Sequence, residues 1–204
     1  QDQPVAELHL LPSGTALNQA AQNQWANVLK SQLTAVESQL QRRTPRLAEV
    51  LAQRDGGMAF LLGQACLQPS QHGPVLELLD VAAGVASLIS QRFKHALNVQ
   101  RPATLSASVV PMLPTPEHGS LPSGHGTETY AMAHVLGQLM PHMAAEFLIT
   151  AHRVAENRTV AGVHYPMDHE AGRALGLAVA SYLVHRCTGM SGNAATVAVS
   201  PGNP

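Results

Sequence analysis

Residues 75–102 read VLELLDVAAGVASLISQRFKHALNVQRP, and they predict one long helix, Val75–Gln100, that Pro102 must end. Apolar residues also recur at helical spacing in the sequence before and after this helix. Further helices are predicted at 16–42 and at about 124–139, 142–156 and 166–187. Another should begin at Pro45, with Thr44 as its cap, and run to Asp55. No segment shows the alternating pattern of a strand. The fold class expected is therefore all-α, a single-domain helical bundle.

The composition describes a globular protein that is poor in charge and rich in histidine. The 204 residues are 45% hydrophobic and 12% charged, with a net charge of −1 and 11 histidines. Such a chain is not disordered, and it has no basic field that would attract nucleic acid. We expect a flexible N-terminus at 1–14, a helical catalytic domain at 15–188 and a flexible tail at 189–204.

The membrane and compartment expectations follow from hydropathy and cysteine content. No window reaches the roughly 18 uninterrupted apolar residues of a spanning helix, so we expect a soluble protein with no membrane-spanning segment. Cys66 and Cys187 are too few for a disulfide framework; whether they pair is open, and two small buried or half-buried residues are favoured. A periplasmic or secreted location is expected over a cytoplasmic one. A homodimer is left open.

Three segments carry the groups that could do chemistry. In the first, Lys94 and Arg101 are seven residues apart, so both would project from one helix face and need an anion. A solvated cationic stripe is the alternative. In the second, Pro122-Ser123-Gly124-His125 leads into a helix N-terminus that favours negative charge, with His125 placed to transfer a proton. A plain helix cap with an incidental histidine is the alternative.

The third segment runs from Arg158 to Asp168. Pro166 should open the last helix, which puts Asp168 in its first turn and His164 just before it. Asp168 could then accept the Nδ1 proton of His164 and leave Nε2 as a bare nucleophile or ligand. Arg158 could bind a phosphate-like oxyanion. Together the three segments supply what phosphoryl transfer without a metal requires.

These motifs resemble the superfamily of type 2 phosphatidic acid phosphatases, which includes bacterial acid phosphatases and vanadate-dependent haloperoxidases. The family pattern K-x6-RP, PSGH and SR-x5-H-x3-D appears in order here, with Asn157 in place of the family's serine. The resemblance implies an all-α bundle, in which His164 forms a phosphohistidine, Asp168 orients it and His125 is the general acid. It implies phosphate binding by a larger set: Lys94, Arg101, Ser123, Gly124 and Arg158.

The resemblance leaves two branches and one inactive alternative. A metal-independent phosphatase acting on small phosphate monoesters, with no cofactor, is favoured because the chain is short and residues 119–125 resemble the GSYPSGH of acid phosphatases. His118 lies seven residues before His125, where bromide-oxidising members carry a histidine; in that branch vanadate would bind His164. His118 could equally be a loop residue. A catalytically silent binding module is the third hypothesis.

Overall fold

The computed structural model describes residues 19–189, and within that range it contains helices and no strand. The all-α prediction is confirmed. The helices are α1 (Gln19–Gln39), α2 (Arg43–Ala52), α3 (Met58–Gln64), α4 (Gly73–Leu97), α5 (Pro102–Leu105), α6 (Gly124–Leu139), α7 (Ala144–Val160) and α8 (Pro166–Thr188), with 3₁₀ turns at Leu40–Arg42 and Pro141–Met143. The predicted terminal segments lie at or beyond the ends of this range: 1–14 is outside the described residues, and so is 190–204.

Helix α6 is the central helix, and α4, α7 and α8 pack around it. Eleven of its 16 residues are buried, as expected for a helix with neighbours on several sides. Tyr130 and Leu136 in α6 meet Leu79 of α4, Phe147 of α7 and Val179 of α8 in one apolar core. The first turns of α6 and α8 lie at the same end of this bundle, because the Ser123 amide donates to the Asp168 carbonyl at 2.9 Å.

Several helix boundaries differ from the predictions, among them the end of α7, which is Val160 and not residue 156, and two of the differences have a clear local cause. Thr44 does not cap a helix, because α2 already begins at Arg43 and follows α1 through a single 3₁₀ turn. Helix α4 ends at Leu97 and not at Gln100, since Asn98 adopts a left-handed conformation with φ 41° and its amide caps the Lys94 carbonyl. Lys94 and Arg101 are therefore not on one helix face. The short helices α3 and α5 were not predicted.

The cysteines and the hydropathy of α4 correct two further expectations. Cys66 and Cys187 are both free and exposed, not buried or half-buried. The helical segment Gly73–Leu105 is long and apolar enough to cross a membrane, with a mean hydropathy of 1.5 and only 22% of its most apolar window buried. Val81 and Leu88 of α4 are 56% and 59% exposed. The expectation that no segment has the length and composition of a membrane span is therefore wrong.

Candidate active site

The three motif segments converge on one cavity of about 240 Å³ at the end of the bundle where α6 and α8 begin. Seven residues singled out from the sequence line it: Lys94, Arg101, His118, Gly124, His125, Arg158 and His164. They reach it from the end of α4, the turn before α5, the loop and first turn of α6, the end of α7 and the loop before α8. Sequence segments more than 60 residues apart therefore form one site.

His164 is held in the tautomer that leaves its second nitrogen free to react. Its Nδ1 lies 2.8 Å from Asp168 Oδ2, and Arg101 Nη1 lies 3.1 Å from its Nε2. A guanidinium can only donate, so Nε2 is the acceptor and Nδ1 carries the proton that Asp168 accepts. Burial lowers the pKa of His164 to about 3, although the hydrogen bond with Asp168 opposes that shift. The imidazole is therefore neutral near pH 7, with its Nε2 lone pair directed at the cation-lined cavity.

Three buried cations surround that lone pair. Lys94, Arg101 and Arg158 are only 1%, 5% and 1% exposed. Within residues 19–189 none of them forms an ion pair with a carboxylate, and they donate instead to backbone carbonyls. The Arg158 Nε has no hydrogen-bond partner among the described residues, and burial lowers the pKa of its guanidinium to about 10. Such a cluster is costly to bury unless an anion compensates it.

His125 occupies the first turn of α6 and faces the cavity. Its Nε2 lies 2.8 Å from the Arg54 carbonyl oxygen, so Nε2 carries a proton and donates it there. Nδ1 is then the nitrogen that remains for substrate. Burial, and next the positive charge of Arg158, lower the pKa of His125. A bound phosphate dianion would oppose both effects and favour the protonated form.

Ser123 and His118 are placed differently from the other predicted residues. The Ser123 Oγ accepts from the Gly126 amide at 3.2 Å and caps α6, so the side chain is buried behind the lining of the cavity. His118 lies at the exposed rim, where its Nδ1 is 3.3 Å from Arg101 Nη2. Ser123 is thus placed to shape the turn, while His118 can reach a bound molecule. Their chemical roles stay predictions.

Asn157, which replaces the family's serine, faces away from the cavity. Its amide donates to Gln53 Oε1 at 2.8 Å and its Oδ1 accepts from Arg46 at 2.9 Å. Both partners lie on or directly after α2. The residue therefore fastens α7 to α2 and makes none of its recorded hydrogen bonds to the cations of the site.

Four polar or charged residues of the site were missed by sequence reasoning. Ser120 donates a short hydrogen bond to Asp168 Oδ2 and lies 3.3 Å from His164 Nδ1. Arg54, Gln91 and Glu128 line the cavity. Glu128 could have been found, since it follows His125 by three residues and so shares its helix face. Arg54 could not, because only the tertiary contact of the α2–α3 loop with α6 brings it there.

The structure is an all-α bundle in which a histidine–aspartate pair adjoins a cavity lined by three buried cations. Such an arrangement suits the binding of an oxyanion. The sequence comparison then gives the family: a sequence model of the PAP2 superfamily matches residues 77–191, more than half of the chain. The chain belongs to the PAP2 superfamily, as its motifs indicated.

The relatives include curated proteins and a solved structure. Decaprenylphosphoryl-5-phosphoribose phosphatase from two strains of Mycobacterium tuberculosis, CDC 1551 / Oshkosh and ATCC 25618 / H37Rv, is 35% identical over 105 residues. The match covers 50% of this chain and 57% of those relatives, so the chain spans little more than half of their length. A transmembrane PAP2 type phosphatidylglycerolphosphate phosphatase from Bacillus subtilis has a similar fold, with TM-score 0.56, 21% identity and coverage of 79% of this chain and 86% of that one.

The fold comparison completes the correction on membranes. A transmembrane phosphatase shares this helical architecture, and the segment Gly73–Leu105 has the length and hydropathy of a span. The expectations of a soluble protein and of no membrane-spanning segment are withdrawn. The error came from requiring an uninterrupted apolar run, whereas scattered glycine, serine and a few charged residues still leave the average hydropathy high.

Proposed function

We propose that this protein is a phosphatase that hydrolyses phosphate monoesters without a metal, through a phosphohistidine intermediate on His164. The observation that carries the proposal is the Nε2 lone pair of His164, which faces a cavity with three buried and carboxylate-free cations. Phosphoryl transfer depends mainly on positioning and on stabilising negative charge, and this set of residues does both. The names of the curated relatives, which are phosphatases, support the same reaction class.

In the first step the substrate phosphate binds Lys94, Arg101 and Arg158. Arg101 exchanges its hydrogen bond with His164 Nε2 for one with a phosphate oxygen, which frees the lone pair. Nε2 then attacks phosphorus, the bond between phosphorus and the ester oxygen breaks, and that oxygen takes a proton from His125. Asp168 stabilises the positive charge that develops on the imidazole of His164.

In the second step a water molecule attacks the phosphorus of the phosphohistidine. His125, now neutral, accepts a proton from this water as the new bond forms. The bond between Nε2 and phosphorus breaks, and phosphate leaves. His164 returns to its neutral tautomer and His125 to its protonated form. Every proton is thus exchanged between His125 and the reactants, and the reaction needs no cofactor.

We further propose that the natural substrate carries its phosphate on a lipid. The names of the similar proteins refer to a decaprenylphosphoryl phosphoribose and to a phosphatidylglycerolphosphate. The exposed apolar side chains of α4 give this chain a surface that fits an apolar environment. A lipid phosphate in mixed micelles should then be hydrolysed with a higher kcat/KM than its short-chain analogue; an equal kcat/KM would contradict this.

The test of the reaction is hydrolysis of p-nitrophenyl phosphate by metal-stripped protein in EDTA. We expect turnover that persists in EDTA, and phosphate on the peptide that contains His164 after a rapid quench. His164→Ala should abolish both, whereas His142→Ala, at an exposed histidine that does not line the cavity, should affect neither. Loss of turnover in EDTA with recovery on adding a metal would contradict the proposal.

Vanadate separates this proposal from the alternative branch. It resembles phosphate in shape and charge, so the three cations and His164 would hold it in the same cavity, and we expect it to inhibit the phosphatase. Bromide oxidation with vanadate and peroxide, in the absence of phosphatase turnover, would instead establish a haloperoxidase. Silence in both assays would establish the binding module.

A further inference from the structure

The cavity has a buried floor and a more exposed wall, and the reaction uses only the floor together with His125. Lys94, Arg158 and His164 form the floor and are at most 5% exposed. Gln91 and Glu128 line the more exposed part, and the proposed mechanism leaves both without a role. Both side chains are more accessible than the floor residues. A substrate whose phosphate occupies the floor must place the rest of its structure against this wall.

Glu128 is the distinctive group of that wall. It follows His125 by three residues on α6, and a methyl group on Gly124 would lie 3.8 Å from both Glu128 Oε1 and Lys94 Cε. The carboxylate therefore lines the cavity beside the Lys94 side chain. Burial raises the pKa of Glu128 and the positive charge of Lys94 opposes that shift, while the two carboxyl oxygens offer lone pairs to a hydrogen-bond donor. Within residues 19–189 it forms no ion pair.

The direction of attack points the leaving group toward this carboxylate. In phosphoryl transfer the attacking and leaving atoms are roughly in line through phosphorus. The leaving oxygen must therefore lie across the phosphate from His164 Nε2 and within reach of His125, its proton donor. Glu128 is on the same face of α6 as His125, so it adjoins the first atoms of the leaving alcohol.

We propose that Glu128 binds the leaving alcohol by accepting a hydrogen bond from a hydroxyl group near the ester oxygen. The proposal rests on the proposed phosphatase function and names its substrate class, phosphate monoesters of polyols or sugars. A carboxylate repels the phosphate itself, so its favourable partner is a donor on the leaving group. A neutral hydroxyl fits better than an ammonium group, because four cations already line the same cavity: Arg54, Lys94, Arg101 and Arg158.

The experiment compares glycerol 3-phosphate, whose leaving group carries hydroxyls, with p-nitrophenyl phosphate, whose leaving group carries none. We expect Glu128→Ala to lower the ratio of their kcat/KM values about tenfold or more, mainly through the KM for glycerol 3-phosphate. Glu128→Gln keeps one acceptor oxygen and should lower the ratio less. Glu77→Gln, at an exposed glutamate of α4, is the matched control and should leave the ratio as in the wild type.

The outcomes separate this inference from the function on which it rests. If wild-type protein hydrolyses neither ester, the proposed function is contradicted, and so is the inference that rests on it. If both are hydrolysed and the ratio does not change in Glu128→Ala, the phosphatase stands and the inference is overturned. A larger loss for phosphoethanolamine than for glycerol 3-phosphate would overturn the hydroxyl assignment in favour of an ammonium group.

Discussion

Asp168 holds His164 through a single oxygen that accepts three hydrogen bonds. Oδ2 accepts hydrogen bonds from His164 Nδ1, from the Tyr165 amide at 3.0 Å and from the Ser120 hydroxyl. The amide contact fixes the carboxylate to the start of α8, and the Ser120 contact fixes it to the loop before α6. The imidazole therefore cannot rotate without breaking its hydrogen bond to a carboxylate that two elements hold in place. This rigidity keeps the Nε2 lone pair aimed at the cavity.

The role of His125 as the proton donor can be tested with two leaving groups. His125→Ala should lower kcat/KM for an alkyl phosphate by about 10²–10⁴-fold, because an alkoxide needs a proton to leave. The loss for p-nitrophenyl phosphate should be smaller, since p-nitrophenolate is a weak base. Steady-state kinetics with both esters measure the difference, and kcat/KM reports the step that forms the phosphohistidine.

The contact of His125 with the Arg54 carbonyl allows a structural effect, and the two substrates distinguish it. A variant that merely loosens the α2–α3 loop would lose activity equally toward both esters. Equal losses would therefore show that His125 shapes the site without donating a proton. His142→Ala serves as the control, and we expect it to leave both rates unchanged.

At the scale of elements, two glycines of α8 set its distance from α6. A Cβ on Gly172 would lie 2.9 Å from the Ser123 carbonyl oxygen, and one on Gly176 would overlap the Thr127 carbonyl oxygen. Gly172 and Gly176 are four residues apart and share one face of α8. The same close approach brings the first turn of α6, which bears His125, next to the start of α8. The spacing is visible in the sequence, but which helix it would approach is not.

Two glycine-to-alanine substitutions, one in α8 and one in α4, should change the free energy of unfolding in opposite directions. Gly176→Ala should lower the free energy of unfolding by about 2–3 kcal/mol, because the new methyl group meets backbone that cannot move cheaply. Gly84→Ala, in the middle of α4 with nothing within 4 Å, should raise it by about 0.5–1 kcal/mol through helix propensity. Urea unfolding followed by circular dichroism measures both. A neutral Gly176→Ala would show that the two helices are less closely packed than described.

At the scale of the whole molecule, the sequence predicted the motif residues that meet at the cavity better than it predicted the residues around them. Lys94, Arg158, His164 and Asp168 were found from residue types at fixed spacings, and the structure brings them together. The position of Arg101 on the α4 face was wrong, because the left-handed turn at Asn98 depends on local backbone preference that periodicity does not reveal. The residues that form the wall of the cavity are brought there by tertiary contacts between elements, and such contacts cannot be predicted from residue spacing along the chain.

The buried histidines make the stability of the whole molecule depend on pH. Burial lowers the pKa of His134, His164 and His169, the last two to about 3 and about 4. In the unfolded chain these side chains take up protons near pH 6.5. Between pH 6.5 and about 4 the unfolded state therefore binds more protons than the folded state. Stability should accordingly fall as the pH drops through this window and be fully present above it.

We expect the free energy of unfolding to be lower at pH 5 than at pH 7, by on the order of 1–2 kcal/mol for each of His164 and His169. Urea titrations at the two pH values measure this difference. His169→Gln should reduce it, because that side chain can no longer take up a proton on unfolding. His95→Gln, at an exposed histidine of α4, is the control variant and should leave the difference unchanged. Equal stability at the two pH values would mean that these imidazoles are protonated to the same extent in the folded and unfolded protein.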